Sequence, residues 1–208
     1  MRMRIASLLL LCLTLAAVPA VAQLYSNGIC SAPNLCSVDA WTVGFGFSVT
    51  DSFSVPAGST VTSADIAVWL FPGDGVSGAS VQWGLGSSAF GSDIGAGLST
   101  PSLVTDFGLN QFGFDVQEWN FDIFGTNLPS TAWLTLLNIS VPSGDPVYWD
   151  ENSGPSMAQE SSVGTIPSES FDINGTTTTS STVPEPSSIM LFGSGILGLA
   201  GVLRRKLF

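Results

Sequence analysis

Hydrophobic and polar residues alternate along several short stretches of the chain. Across residues 41–49 every second residue is Trp, Val or Phe, and the residues between them are Thr, Gly or Ser. A period of two is typical of a β-strand with one buried face. The alternation predicts one continuous strand over residues 41–49, and Phe53 and Val55 extend the pattern to a turn at Pro56.

Further strands are predicted where β-branched and aromatic residues lie between turn residues. The predicted segments are residues 61–71, 79–85, 103–109, 112–116, 119–124, 131–141 and 147–149. Stretches rich in Gly, Pro, Asp and Ser separate them, and the region shows no helical periodicity. About eight short strands with such frequent turns predict an all-β fold, namely a single β-sandwich that is jelly-roll-like, with an immunoglobulin-like sandwich as the alternative.

The first residues and the Ser/Thr-rich residues 174–182 differ from this pattern. Residues 1–22 contain Arg2 and Arg4, a leucine-rich run and the sequence Ala20-Val21-Ala22. These features predict a signal helix that signal peptidase removes by cutting between Ala22 and Gln23. Residues 174–182 have too few apolar side chains to form a core and are predicted to be a solvated stalk. Residues 23–173 then form the β-sandwich ectodomain.

Charge is distributed unevenly along the chain. The five Lys and Arg residues all lie in the two terminal segments, the chain has no His, and fifteen of the sixteen Asp and Glu residues lie within residues 39–172. A domain without basic side chains cannot neutralise phosphates, so nucleic acid is excluded as a partner. The absence of His also excludes Ser-His-Asp and Cys-His catalysis and histidine-ligated metals within this chain.

Two cysteines, Cys30 and Cys36, remain after signal-peptide removal. Thiols separated by five residues in an exported domain predict a small disulfide-closed loop, because the compartment outside the cytoplasm is oxidising. A pair of free thiols is the alternative.

Residues 145–152, with the sequence DPVYWDEN, form the densest candidate ligand patch. Aromatic faces together with carboxylates and an amide are the combination that holds sugars. The same oxygens would also suit calcium, and no cofactor other than calcium is predicted. The alternative is a strand end whose acidic residues are only solvated. The residues of this candidate patch are Asp145, Tyr148, Trp149, Asp150, Glu151 and Asn152.

Carboxylates alone also suffice for one class of enzyme. Glycoside hydrolysis uses a pair of Asp or Glu residues and needs no histidine. The candidates for such a pair are Glu118, Asp150 and Glu151. A carboxylate-dependent glycoside hydrolase is therefore the enzymatic alternative to a non-catalytic domain.

The apolar run at residues 189–203 is short for a membrane anchor. As a helix its fifteen residues span about 22 Å, less than the roughly 30 Å hydrocarbon core of a bilayer. The basic residues Arg204, Arg205 and Lys206 follow it and place the end of the chain in the cytoplasm. The run predicts a transmembrane helix that crosses only marginally, with the ectodomain outside.

The order of these C-terminal elements resembles a known sorting signal. The sequence VPEP at residues 183–186, the glycine-interrupted apolar span and the basic trio resemble the tripartite PEP-CTERM signal of Gram-negative bacteria, which an exosortase recognises. The resemblance covers residues 183–208 and implies that Pro184, Glu185 and Pro186 form the sorting motif. It also implies cleavage after transient residence in the cytoplasmic membrane, and association with cell-surface polysaccharide or biofilm matrix.

Together these features predict an exported cell-surface or matrix-associated protein that is not an enzyme. Its ectodomain is expected to have a structural or carbohydrate-binding role, with extracellular polysaccharide as the candidate partner. A plain single-pass surface protein without processing is the alternative.

Overall fold

The structure, a computed structural model, describes residues 21–29 and 39–177, and this part of the chain is all-β. Its strands are β1 (Ala22–Ser26), β2 (Ala40–Thr42), β3 (Ser48–Ser54), β4 (Thr60–Leu70), β5 (Ser80–Gly86), β6 (Gly95–Ser99), β7 (Ser102–Leu109), β8 (Asp115–Gly125), β9 (Thr131–Ser140), β10 (Tyr148–Asn152), β11 (Ala158–Glu160), β12 (Gly164–Ile166), β13 (Ser168–Glu169) and β14 (Phe171–Thr176).

These strands form two antiparallel sheets. In the first sheet β4 is central, with β8 and then β7 on one side. On its other side β4 pairs along part of its length with β14, which is followed by β1, and farther along with β10, which β2 and β13 flank. The second sheet has the order β12-β11-β3-β9-β5-β6.

One hydrophobic core includes residues of both sheets, an arrangement that is consistent with a β-sandwich. Alternate residues of each long strand enter this core, as period-two side-chain geometry requires. Burying each large apolar side chain contributes about 1.5–3 kcal/mol. From the first sheet the core includes Ile66, Val68, Leu70, Trp119, Phe121 and Ile123, and from the second Val49, Phe53, Val81, Leu85, Leu134 and Leu136. The all-β prediction is thereby confirmed for the described residues.

The continuous strand predicted over residues 41–49 is wrong, because a tight turn divides it into β2 and β3. Gly44 and Phe47 donate backbone hydrogen bonds to each other's carbonyl, at 3.2 and 2.9 Å. The two residues between them, Phe45 and Gly46, have φ of 54° and 92°. Positive φ at both central positions is the geometry of a two-residue hairpin turn. Phe45 and Phe47 are exposed instead of lying on a buried strand face.

Two other predicted segments are a single strand. Residues 112–116 and 119–124 were separate predictions, whereas β8 runs without interruption over Asp115–Gly125 and residues 111–114 belong to the turn before it. The segments predicted at residues 61–71, 79–85, 103–109, 131–141 and 147–149 correspond to β4, β5, β7, β9 and β10.

The segment predicted to be a stalk begins inside the first sheet. Strand β14 extends to Thr176 and lies between β1 and β4, so residues 174–176 are sheet residues. Gly175 is buried there, and a Cβ at this position would overlap the main chain of Thr60. The close approach of β14 to β4 therefore requires glycine at this point.

Several predictions fall on residues outside the described ranges. They are the signal helix, the C-terminal transmembrane helix and Cys30 and Cys36, together with Ala20 and residues 178–182. Ala22 and Gln23, which flank the predicted signal-peptide cleavage, are the first two residues of β1. Within residues 21–29 and 39–177 no helix has the length and apolar character needed to cross a bilayer.

Candidate functional site

The candidate ligand patch at residues 145–152 does not form one exposed surface. Asp145 lies in an exposed loop, whereas the residues from Tyr148 to Asn152 form β10. Trp149 is fully buried in the core, where its ring and that of Phe171 form an edge-to-face pair at a centroid distance of 5.6 Å. Its Nε1 donates to the carbonyl of Ser170 at 3.0 Å. The Trp149 ring is therefore a core group and cannot stack on a sugar.

Asp150 lies on the opposite face of β10, beneath an aromatic side chain. The Nε1 of Trp69 donates to Asp150 Oδ1 at 2.7 Å, and Asp150 is buried. Burial raises the pKa of Asp150 to about 7, while the hydrogen bond from Trp69 opposes the shift. Desolvation disfavours the charged carboxylate more than one neutral donor favours it. Asp150 is therefore a buried acid and not a solvated ligand group.

The last two residues of the candidate patch hold neighbouring segments in place. Glu151 accepts a hydrogen bond from Trp41 Nε1 at 3.0 Å. The side-chain amide of Asn152 donates to the carbonyls of Asn27 and Gly28, and its Oδ1 accepts from Ser168 Oγ at 2.6 Å. Glu151 thus ties β10 to β2, and Asn152 ties β10 to the end of β1 and to β13, which gives both residues a structural role.

Tyr148 belongs to an aromatic patch on the outer face of the first sheet, formed by Trp69, Phe71, Phe112, Phe114 and Tyr148. Trp69 alternates with the core residues Val68 and Leu70, so its ring points away from the core. Phe112 stacks on it at 5.7 Å, and Phe114 contacts Trp69, Phe71 and Tyr148 at 5.3–5.8 Å. The turn between β7 and β8 thus covers Trp69 and leaves Phe71 and Phe112 exposed at the surface.

A second group of polar residues lies between the two sheets. This interior polar cluster consists of Asn27, Asp51, Ser156 and Glu169. Asp51 occupies the middle of β3 between the core residues Val49 and Phe53, so its carboxylate points into the sandwich. There Asp51 Oδ2 accepts from the backbone N–H of Glu169 at 2.7 Å and from Ser156 Oγ at 2.8 Å. The cluster therefore links the second sheet to β13 of the first.

Asn27 completes the interior polar cluster from the end of β1. Its side-chain amide donates to Ser156 Oγ at 2.6 Å and to the carbonyl of Glu169, and its Oδ1 accepts from Tyr25 OH at 2.8 Å. The Tyr25 ring in turn packs against Phe53 and Phe171. The polar groups are thus enclosed by aromatic rings of the core.

The two carboxyl groups of the cluster, those of Asp51 and Glu169, have raised pKa values. Burial raises the pKa of Asp51 to about 6, against the opposing effect of its hydrogen bonds. Burial raises the pKa of Glu169 well above its usual value, and the negative charge of Asp51 is the next cause. Asp51 and Glu169 are each 0 % exposed. Strongly perturbed carboxyls in this arrangement mark a candidate functional site.

Sequence reasoning did not identify this cluster, although one signal was present. The alternation that places Val49 and Phe53 in the core places Asp51 on the same face. A charged residue at an inward position of a strand is informative because charged groups are rarely buried without a partner. Glu169 offered no comparable signal, since β13 has only two residues and no period to read.

The predicted carboxylate pair for glycoside hydrolysis is not presented together at the surface. Glu118 lies on β8, on the other side of β4 from Asp150, and is partly buried. Burial raises the pKa of Glu118, and the charges of Asp65 and Asp172 add to the shift. Asp150 is enclosed beneath Trp69, so a polysaccharide cannot reach it.

No three His, Cys, Asp or Glu side chains within residues 21–29 and 39–177 are grouped closely enough to hold a metal ion by themselves. Any metal ion bound in this part of the chain would therefore need neutral oxygen ligands as well as carboxylates.

Outside the described ranges lie the sorting-motif residues Pro184, Glu185 and Pro186 and the basic residues Arg204, Arg205 and Lys206.

No curated protein matches the chain. The family model described as the PEP-CTERM protein-sorting motif matches residues 182–206 and confirms the resemblance drawn from the VPEP sequence, the apolar span and the basic trio. Residues 182–206 therefore carry a PEP-CTERM protein-sorting motif, which supports export and sorting to the cell surface by an exosortase.

Proposed function

We propose that this protein is exported, held briefly in the cytoplasmic membrane and cut near its C-terminus by an exosortase, leaving a non-catalytic β-sandwich at the cell surface or in the extracellular matrix. The observation that carries the proposal is the sorting motif at residues 182–206. The charge pattern supports the orientation, because every basic residue lies in a terminal segment and the acidic domain between them has none.

Processing is tested by the mass of the mature protein in a host that has an exosortase. We expect the surface-located protein to have lost Arg204, Arg205 and Lys206. Replacing Glu185 by alanine is expected to abolish this loss, because the two prolines hold the segment extended and present the carboxylate in a defined pose. Ser187→Ala, in the same segment but outside the Pro-Glu-Pro motif, is the matched control. A wild-type surface protein that keeps its basic tail would show simple anchoring instead.

For the ectodomain we propose a carbohydrate-binding or structural role in which the aromatic patch is the contact surface. Exposed apolar patches on exported domains mark interaction sites, and aromatic rings beside polar groups are the usual lining of ligand sites. Phe71 and Phe112 present their rings to solvent, and Trp69 and Phe114 hold them from below. This surface takes the place of residues 145–152, of which only Tyr148 contributes to it.

Retention of the purified chain on extracellular polysaccharide from the host tests the aromatic patch. We expect Phe112→Ala to weaken binding about tenfold, which corresponds to about 1.4 kcal/mol, because one stacking ring is lost. Phe124→Ala is the matched control, because Phe124 lies in β8 of the same sheet but outside the patch. The two side chains are similarly exposed, at 63 % for Phe124 and 52 % for Phe112. Equal retention of both variants would contradict the assignment. Release of sugar that Glu118→Gln abolishes would favour the hydrolase alternative.

A further inference from the structure

We propose that the interior polar cluster is a structural calcium site, with Asp51 and Glu169 as its charged ligands. The proposal extends the function of the ectodomain and does not depend on the sorting motif or on the aromatic patch. It rests on the position of the two carboxylates, on their unpartnered oxygens and on the kinds of oxygen that surround them.

The two carboxyl groups are enclosed between the sheets without a basic partner from any described residue. Asp51 reaches into the sandwich from β3, and the backbone N–H of Glu169 contacts its carboxylate at 2.7 Å. Both side chains are fully buried. No Lys, Arg or His occurs anywhere within residues 5–203, so no basic side chain of the domain can balance them. Ionising both buried groups without compensation would cost several kcal/mol per ion even after relaxation, which is why burial raises the pKa of each. A divalent cation neutralises the pair in one step.

Three carboxylate oxygens of the cluster have no hydrogen-bond donor in the described part of the chain. Both carboxylate oxygens of Glu169 and the Oδ1 of Asp51 are buried, and none accepts a hydrogen bond from any residue in the described ranges. Buried polar atoms in folded proteins are nearly always satisfied, so each exception calls for a physical explanation. Three acceptor oxygens on two neighbouring carboxylates are explained together by an ion that takes oxygen ligands.

The kinds of ligand in the cluster favour calcium over other ions. Three neutral oxygens lie within the cluster, namely the amide oxygen of Asn27, the hydroxyl of Ser156 and the carbonyl of Glu169; the Asn27 side-chain NH₂ donates to the last two and would have to turn away from a bound ion. Calcium accepts six to eight oxygens from carboxylates, amides and carbonyls in flexible geometry, whereas magnesium prefers a strict octahedron and keeps several waters. The cluster offers no sulfur or imidazole ligand for a softer transition metal.

The position of the site defines its role. Asn27 follows β1, Asp51 is in β3, Ser156 precedes β11 and Glu169 is in β13, so one ion would join four separate segments across the two sheets. Since the unfolded chain cannot preserve this arrangement, calcium that binds the folded protein stabilises it. The ion would be structural and would not contact a ligand at the surface.

Thermal unfolding of the purified full chain at neutral pH tests the proposal. After removal of divalent ions with EDTA, we expect added CaCl₂ at a hundredfold excess over its Kd to raise Tm by about 5–10 °C. MgCl₂ at the same concentration is expected to give a much smaller rise. An equal effect of MgCl₂ would overturn the assignment to calcium, and an unchanged Tm in CaCl₂ would overturn the site.

Single charge-removing variants locate the ion. Asp51→Asn and Glu169→Gln are expected to abolish the calcium-dependent rise in Tm, whereas Glu118→Gln, which removes a partly buried carboxylate on the outer face of β8, is expected to keep it. A rise that persists in both cluster variants overturns the site. If either variant fails to fold, calorimetric titration of the wild-type chain with CaCl₂ decides: one ion per chain supports the site and no binding overturns it. The proposal of exosortase processing is tested separately, by the mass of the mature protein. A negative result in that test is therefore distinguishable from a negative result for the calcium site.

Discussion

We expect Trp149→Ala to lower the free energy of unfolding by about 3–5 kcal/mol, the usual cost of deleting a fully buried tryptophan. Trp149 is 0 % exposed, packs edge-on against Phe171 and donates its N–H to Ser170. The variant therefore loses apolar burial and a buried donor, and it leaves a cavity between the sheets. Since domains are stable by only about 5–15 kcal/mol, the loss is a large share of the total. Urea unfolding followed by far-UV circular dichroism measures it.

Two further variants distinguish the effect of burial at position 149 from the effect of removing a tryptophan as such. Trp133→Ala makes the same chemical change at a partly exposed position of β9 and is expected to cost much less. Trp149→Phe keeps most of the apolar volume and is expected to recover part of the loss, while the carbonyl of Ser170 remains without its donor. If Trp149→Ala were instead stable but unable to bind polysaccharide, the ligand role predicted from the sequence would stand and the core position would be contradicted.

The sequence predicted β4 and β9 well because their pattern is local. In β4 and β9 the apolar residues are dense, and turn residues lie just beyond each end. The failures have a different cause. Gly44 and Gly46 fit the polar face of a strand as well as they fit a turn, and only the backbone hydrogen bonds between Gly44 and Phe47 decide for the turn. The short strands β11 to β13 have too few residues for any period to appear.

The candidate site could be predicted only in part, because local composition does not say which face of a strand is covered. The residues of β10 combine two aromatics, two acids and an amide, as a sugar site does. Trp149 nevertheless faces the core, and Asp150 lies under Trp69, which is itself covered by Phe112 from a distant turn. These positions depend on contacts far apart in the chain. The sorting motif was predictable because its recognition depends on a contiguous sequence.

A domain without basic side chains must satisfy its carboxylates with neutral donors. Glu160 accepts from the hydroxyls of Ser161 and Ser162 and from the backbone N–H groups of Ser162 and Val163. Asp65 accepts from the amides of Asn120 and Asn174. Hydrogen bonds to the charged form lower a carboxyl pKa, as the lowered pKa of Glu160 shows. Within the interior polar cluster such donors are too few, because Asp51 Oδ1 and both carboxylate oxygens of Glu169 have no donor in the described ranges.

In the absence of divalent cations we expect the free energy of unfolding to fall as pH rises from about 5 to about 8. Burial raises the pKa of Asp51 to about 6 and that of Asp150 to about 7, and it raises the pKa of Glu169 well above its usual value. The unfolded chain ionises these groups near pH 4, so the folded state binds more protons throughout this range. Below about pH 4 these protonated groups make their full contribution to the free energy of unfolding. That contribution is lost as pH rises through the pKa values of the folded state.

The expected slope is large for a chain that contains no histidine. As pH rises, each carboxyl lowers the free energy of unfolding by about 1.4 kcal/mol for every pH unit between its pKa in the unfolded state and its pKa in the folded state. Asp51 and Asp150 together therefore account for a loss of about 4 kcal/mol between pH 5 and pH 8. The partly buried carboxyls of Glu118 and Glu151, whose pKa values are also raised, add to the same trend. The lowered pKa of Glu160 acts in the opposite direction, but only below about pH 4.5, outside this window.

Urea unfolding in EDTA at a series of pH values measures the slope, and Asp150→Asn and Glu169→Gln are each expected to flatten it. Calcium is expected to flatten it as well, by stabilising the ionised cluster at high pH, but only in chains that keep both Asp51 and Glu169. Asp145→Asn is the matched control, because it removes an acid from an exposed loop outside the buried groups. A wild-type stability that rises from pH 5 to pH 8 in EDTA would contradict the burial of these carboxyls, since ionisation would then favour the folded state.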